Sequence, residues 1–186
     1  PLVYNRPDPW LPDLLVCRPE LTDAIRAVTL RAESGPRSPG NVDRGRRDRE
    51  GRVELITSDD VHLRARRWDA TGPGRATVVL VHGFAAGLDE AKLVTLAEAL
   101  RDARFDVLGY DARGHGESGG EATLGDRERL DVAAAVTMAD EARRPVLLVG
   151  ASMGAIAALR FAASAPGAVA GLVSVSCPAW WRLPLN

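Results

Sequence analysis

Four short, almost wholly apolar runs recur along the chain: TVVLV at 77–81, FDVLGY at 105–110, PVLLVG at 145–150 and VAGLVSV at 169–175. Runs of this length and apolarity bury both faces, as strands do inside a parallel sheet. Helical patterns fill the gaps. Leu93, Leu96, Ala97 and Leu100 mark one apolar stripe, a second pattern covers about 126–141, and an alanine-rich stretch begins just after Ser152. Strands alternating with helices at this spacing require right-handed crossovers, so the chain is expected to be an α/β protein with helices on both faces of a mostly parallel sheet. Upstream, VELIT and VHLRARRW alternate apolar with polar residues around Ser58, Asp59 and Asp60, which predicts an antiparallel N-terminal hairpin.

The rest of the chain sets limits. Residues 1–51 read as an extension: Leu21, Ala24, Ile25 and Val28 suggest one short helix within 20–32, and 33–51 nearly lacks large apolar side chains, as a flexible linker does. Residues 52–186 then form the core domain. The 24 basic and 25 acidic residues leave a net charge of −1, so no global field favours nucleic acid or an anionic membrane. Arg44, Arg46, Arg47 and Arg49 are interleaved with Asp43, Asp48 and Glu50 and lack neighbouring aromatics, which makes them a solvated linker and not a nucleic-acid patch. Cys17 and Cys177 show no CxxC spacing and no histidine cluster, so neither a disulfide framework nor a zinc site is expected, and a cytoplasmic location fits. The most apolar stretch, 161–181, is broken by Pro166 and Pro178 and does not read as a membrane span. Oligomeric state leaves no signal.

Chemistry enters at Gly150-Ala151-Ser152-Met153-Gly154, a GxSxG set between an apolar strand and a helix. A serine on a sharp, strained turn needs small residues two before and two after it, so that strand and helix can pass closely. Such a turn lifts the hydroxyl above the sheet, where it can act as a nucleophile. His82-Gly83-Phe84 directly follows the run at 77–81, and the loop DARGHGES at 111–118 follows the run at 105–110.

VLVHGF, DARGHGES and GASMG, in this order and at this spacing, resemble the α/β-hydrolase superfamily over about residues 52–181, with wording similar to its serine aminopeptidase-like and lysophospholipase-like branch. The resemblance implies a serine hydrolase that cleaves carboxylic esters, and in second place peptides or amides, through an acyl-Ser152 intermediate. The substrate is then a small ester or short peptide, and no metal or organic cofactor is needed. It implies an oxyanion hole built from the backbone amides of Phe84 and Met153, each such donor being worth about 10² to 10³ in rate. The dipole of the helix that Met153 opens adds positive potential there. It gives structural roles to Gly150, Gly154, His82, Gly83, Asp111, Arg113, Gly114, His115 and Gly116.

A serine hydroxyl needs a base. The resemblance puts the catalytic acid and histidine after the nucleophile, yet no histidine, aspartate or glutamate follows Ser152, and His62, His82 and His115 all precede it. The chain is therefore expected to be the N-terminal part of an α/β-hydrolase, without cap and last strands and with a bared sheet edge. It should be almost inert alone, because loss of the base costs about 10⁶ in turnover. Two alternatives keep the fold: a non-catalytic binding protein, and a non-hydrolytic acyltransferase or perhydrolase. Residues 114–119 also spell GxGxxG, but three residues part the strand from the first glycine and no helix opens there. A structural turn is expected, with Asp111 and Arg113 in local ion pairs and hydrogen bonds.

Overall fold

Residues 51–178 are the part of the chain that the computed structural model describes. The helix expected within 20–32 and the linker before Gly51 lie outside them. β1 (Arg52–Ile56) and β2 (His62–Trp68) form the expected antiparallel hairpin, with Arg52 opposite Arg66 and Ile56 opposite His62. Its turn is closed by Thr57 N donating to Val61 O at 3.0 Å and Val61 N donating to Thr57 Oγ1 at 2.9 Å, while Asp60 takes a φ of 61°. Aspartate tolerates that left-handed conformation better than most residues.

After the hairpin come β3 (Thr77–Val81), α1 (Ala91–Asp102), β4 (Asp106–Tyr110), α2 (Glu128–Asp140), β5 (Val146–Ala151), α3 (Met153–Ser164) and β6 (Gly171–Val175). The sheet order is β1-β2-β4-β3-β5-β6; β2 runs antiparallel to β4, and β4, β3, β5 and β6 are parallel. Successive side chains of a strand face opposite ways. Val79 and Val81 accordingly join Leu108, Tyr110 and Leu148 beneath α2 and α3, while Val78 and Leu80 join Trp68, Val107 and Leu147 beneath α1. All of β3 is buried, and each of its apolar side chains contributes about 1.5–3 kcal/mol by leaving water.

Two element ends differ from the periodicity, each for a local reason. Phe105 spends its amide on Leu100 O at the end of α1, so the strand starts at Asp106. The helix expected from about 126 starts at Glu128, because the Glu128 carboxylate first gathers the amides of Thr123 (2.6 Å) and Gly125 (2.8 Å) into a turn.

The topology selects one end of the sheet. β3 leads through α1 to β4 on one side, and β5 leads through α3 to β6 on the other, so strand order reverses at the C-terminal ends of β3 and β5. A crevice opens at such a point in open α/β sheets.

A buried ion network fastens that end. Arg113, only 2% exposed, sends Nε to Asp131 on α2 at 2.8 Å and its two terminal nitrogens to Asp59 in the hairpin turn at 2.8 and 2.9 Å. The expected local pairing is thus long-range: Asp59 lies 54 positions away. The Arg113 guanidinium, helped by the Thr57 hydroxyl, holds the Asp59 carboxyl well below the usual carboxylate range. At Asp131 burial is the larger effect and raises the carboxyl against the pull of Arg113.

Removing one member of a buried pair strands the other, so Arg113→Ala should cost about 3–5 kcal/mol in urea unfolding followed by circular dichroism. Because Asp59 is depressed in the folded state, its stabilisation is complete above the unfolded carboxyl value of about 3.9 and is lost as pH falls below it. Asp59→Asn should flatten that acid limb. An unchanged limb would remove Asp59 from the network's energetics.

Candidate active site

Ser152 sits at the junction of β5 and α3 with φ 51° and ψ −116°, a conformation that a non-glycine residue adopts only when its surroundings impose it. Those surroundings are visible. Ser152 N donates to Val175 O on β6 at 2.9 Å, and Ser152 O accepts from Ala155 N at 3.0 Å and Ile156 N at 3.2 Å. A Cβ on Gly154 would overlap the Val81 carbonyl oxygen and lie 2.5 Å from that of His82; one on Gly150 would lie 2.6 Å from Gly154 O. Both glycines are therefore required by close backbone approach. Ser152 itself is exposed, and Met153, buried at its side, is the first residue of α3. The amides of a first helical turn have no intrahelical acceptor, and the helix dipole is positive there.

The loop after β3 lies against this turn: a Cβ on Gly83 would sit 3.3 Å from Ser152 Cβ. Its backbone is pinned by His82. Ala112 N donates to His82 Nε2 at 2.9 Å, which places the ring proton on Nδ1, and Nδ1 donates to Gly83 O at 2.7 Å. Burial pushes the His82 imidazole down from its ordinary value, in keeping with this neutral form. Ala86 N holds the same carbonyl at 3.1 Å. In a trans peptide C=O and N–H point in opposite directions, so anchoring Gly83 O turns the Phe84 N–H away from His82.

Asp111, 1% exposed, joins this loop to the one after β4. Its carboxylate accepts from Leu88 N at 2.7 Å and Glu117 N at 3.3 Å, and Arg64 reaches it at 3.3 Å. A Cβ on Gly116 would overlap that carboxylate, and one on Gly114 would lie 2.5 Å from Ala122 N; both residues have positive φ. Gly114 N donates to Gly119 O, Gly119 N to His62 O, and the Ser118 hydroxyl to Asp111 O. The amides of the first and last glycines of GxGxxG are thus spent on the protein itself.

Each histidine is accounted for. His82 has both ring nitrogens engaged, and so does His115, with Arg113 O at 3.0 Å and Phe84 O at 2.6 Å. His62 faces Glu54 at 3.1 Å and stands on β2, three strand positions from β5, a separation of roughly 14 Å by ordinary strand spacing. Sequence reasoning missed Asp59, Arg64, Glu128 and Asp131. Glu128 and Asp131 left a signal, being acids spaced by one helical turn on the face that continues into Val132, Ala135 and Ala139.

The site is open. Phe84 is 55% exposed, and two surface concavities of about 290 and 500 Å³ are lined by other residues, among them Arg52 and Glu117 in the first and Val61 and Arg127 in the second. No helix among the described residues is long and apolar enough to cross a membrane.

Over residues 72–185 the chain matches the family described as serine aminopeptidase, S33. It belongs to that family. Human monoglyceride lipase is 32% identical over 127 residues, which cover 66% of this chain and 41% of the lipase; the mouse lipase is 28% identical over 150 residues, covering 78% and 47%. The chain therefore spans less than half the length of these curated relatives. An esterase from Pyrococcus furiosus superposes with a TM-score of 0.64 at 31% identity, covering 78% of this chain and 58% of the esterase. A serine hydrolase without lid from Xanthomonas campestris gives 0.63 at 23% identity over 72% and 65% of the two chains, a likeness of fold alone. The α/β-hydrolase fold expected from the motifs is the fold of this S33-family chain.

Gly154→Ala should destabilise the protein by at least about 1–3 kcal/mol, the usual cost of overpacking, since backbone and not a flexible side chain must yield. Gly72→Ala, with nothing within 4 Å, is the control and should stay within about 0.5 kcal/mol. Equal thermal stabilities of the two variants would contradict the close approach.

Proposed function

We propose that this chain carries the nucleophile and oxyanion hole of a serine hydrolase for carboxylic esters, within a catalytic core at 52–186 preceded by an extension at 1–51. The observation that carries this reading is the strained Ser152, held between the first amide of α3 and the His82-pinned peptide of Phe84. The Ser152 hydroxyl adds to the ester carbonyl carbon while a base takes its proton. Negative charge gathers on the carbonyl oxygen and is met by the Phe84 and Met153 N–H groups. Collapse expels the alcohol, which takes the proton back from the base. Water then adds to acyl-Ser152 and releases the acid.

We assign the base to a group other than His62, His82 and His115, a reading supported by the engagement of both ring nitrogens of His82 and His115 and by the place of His62 on β2. Apolar exposure favours esters of apolar groups. Phe84, on the loop that lies against the Ser152 turn, and Val175, whose carbonyl holds Ser152 N, are exposed apolar residues, Val175 at 46%. The relatives named as monoglyceride lipase and esterase agree with that preference. Peptide cleavage is the second reading, favoured by the S33 description. A cytoplasmic setting belongs to the same reading, supported by two cysteines without CxxC spacing.

Protein expressed from its own gene should be labelled at Ser152 by a fluorophosphonate, and Ser152→Ala should abolish labelling. The 186 residues alone should react slower by several orders of magnitude, approaching the roughly 10⁶ lost with the base. Persistent labelling of Ser152→Ala would mean a different nucleophile. Equal rates for the two forms would mean that the base lies within this sequence.

A further inference from the structure

His115 is bound at both ring nitrogens to carbonyl oxygens: Nδ1 to Arg113 O at 3.0 Å and Nε2 to Phe84 O at 2.6 Å. Carbonyls only accept. A neutral imidazole has one N–H to give and the imidazolium has two, so only the doubly protonated ring completes both bonds. A short contact is what a charge-assisted bond produces. The ring also stands edge-on to Phe84 at 5.4 Å and to His82 at 5.1 Å, so its position is fixed by packing as well.

The two ends of this bridge differ in rigidity. Arg113 is locked by Asp59 and Asp131, and its own amide donates to Asp131 at 2.9 Å. Phe84 lies in an exposed turn whose preceding carbonyl is pinned by His82. We propose that His115 is a positioning residue: it braces the oxyanion loop against the buried Arg113 network by holding Phe84 O, and the brace is complete only while the ring carries both protons. This deepens the reading of Phe84 as an oxyanion donor and rests on it.

The charged groups around the ring are accounted for. His82 approaches from the end of β3 and is neutral in its bonding pattern. Asp111, on the loop of His115 itself, and Glu90, just before α1, both bear on that His82 ring. Arg113 turns its guanidinium away toward Asp59 and Asp131, and Glu117 turns to Arg52 and Arg64. His115 is thus the ring whose proton changes the bonding of the loop.

The Ala85 amide shares a peptide group with Phe84 O and reports on that carbonyl directly. In the ¹⁵N-labelled 186-residue chain, the Phe84 and Ala85 amide shifts should move with pH at the midpoint read from the His115 ring carbon. His115→Gln keeps a donor at the Nε2 position that does not titrate, so it should hold both amides near their low-pH shifts throughout. His115→Phe should leave them at high-pH shifts with no midpoint, while core amides such as those of β3 certify folding. Amides that ignore the His115 titration, or that still titrate in His115→Phe, overturn the brace. The functional half is read separately. In protein from its own gene, His115→Phe should slow fluorophosphonate labelling at least about ten-fold relative to His115→Gln, a fraction of what one oxyanion donor is worth. Intact coupling with no such loss would overturn the assignment of Phe84 as donor and leave the brace a purely structural contact.

Discussion

The first turn of α3 can approach β3 only because residue 154 has no side chain. A Cβ there would strike the carbonyls of Val81 and His82. That contact sets where the helix begins relative to the sheet, and the chain must leave β5 through the strained conformation of Ser152 to reach it. The turn is then tied laterally by Val175 O on β6. Strain at 152, small residues at 150 and 154, and an alanine-rich helix are one solution to a single packing demand. The same demand brings the serine hydroxyl, a helix N-terminus and the loop after β3 to one place.

Around that contact the protein spends its buried polar groups on loops. His82, Asp111 and Arg113 are all nearly inaccessible, and each joins segments distant in sequence. His82 ties the ends of β3 and β4, Asp111 ties Leu88 to the loop after β4, and Arg113 ties the hairpin turn to α2. Buried polar groups are costly unless fully bonded, and a fully bonded set specifies one arrangement. The loops that bear Phe84 and His115 are therefore held in one conformation by hydrogen bonds where little apolar packing is available.

Most of this architecture was legible in the sequence, for identifiable reasons. Apolar runs such as TVVLV announce doubly buried strands, and the glycines of GASMG are dictated by backbone contact, so motif and geometry carry the same information. The partners of Arg113 were not legible. Asp59 looked like an ordinary turn residue, and its role depends on a hairpin folding back across 54 positions. Asp131 left only its place on the apolar face of its helix, and that spacing does not name the partner of a buried acid. The double engagement of His115 was equally hidden, because it needs Phe84 and Arg113, on different loops, at bonding distance together.

The central claim is that Ser152, Phe84 and Met153 converge on one oxygen. A crystal structure of the native-gene protein with a phosphonate bound to Ser152 tests it most directly. The phosphoryl oxygen should lie about 2.7–3.1 Å from both the Phe84 and Met153 backbone nitrogens, as oxyanion donors require. An adduct whose oxygen faces solvent, or meets neither amide, would contradict the account.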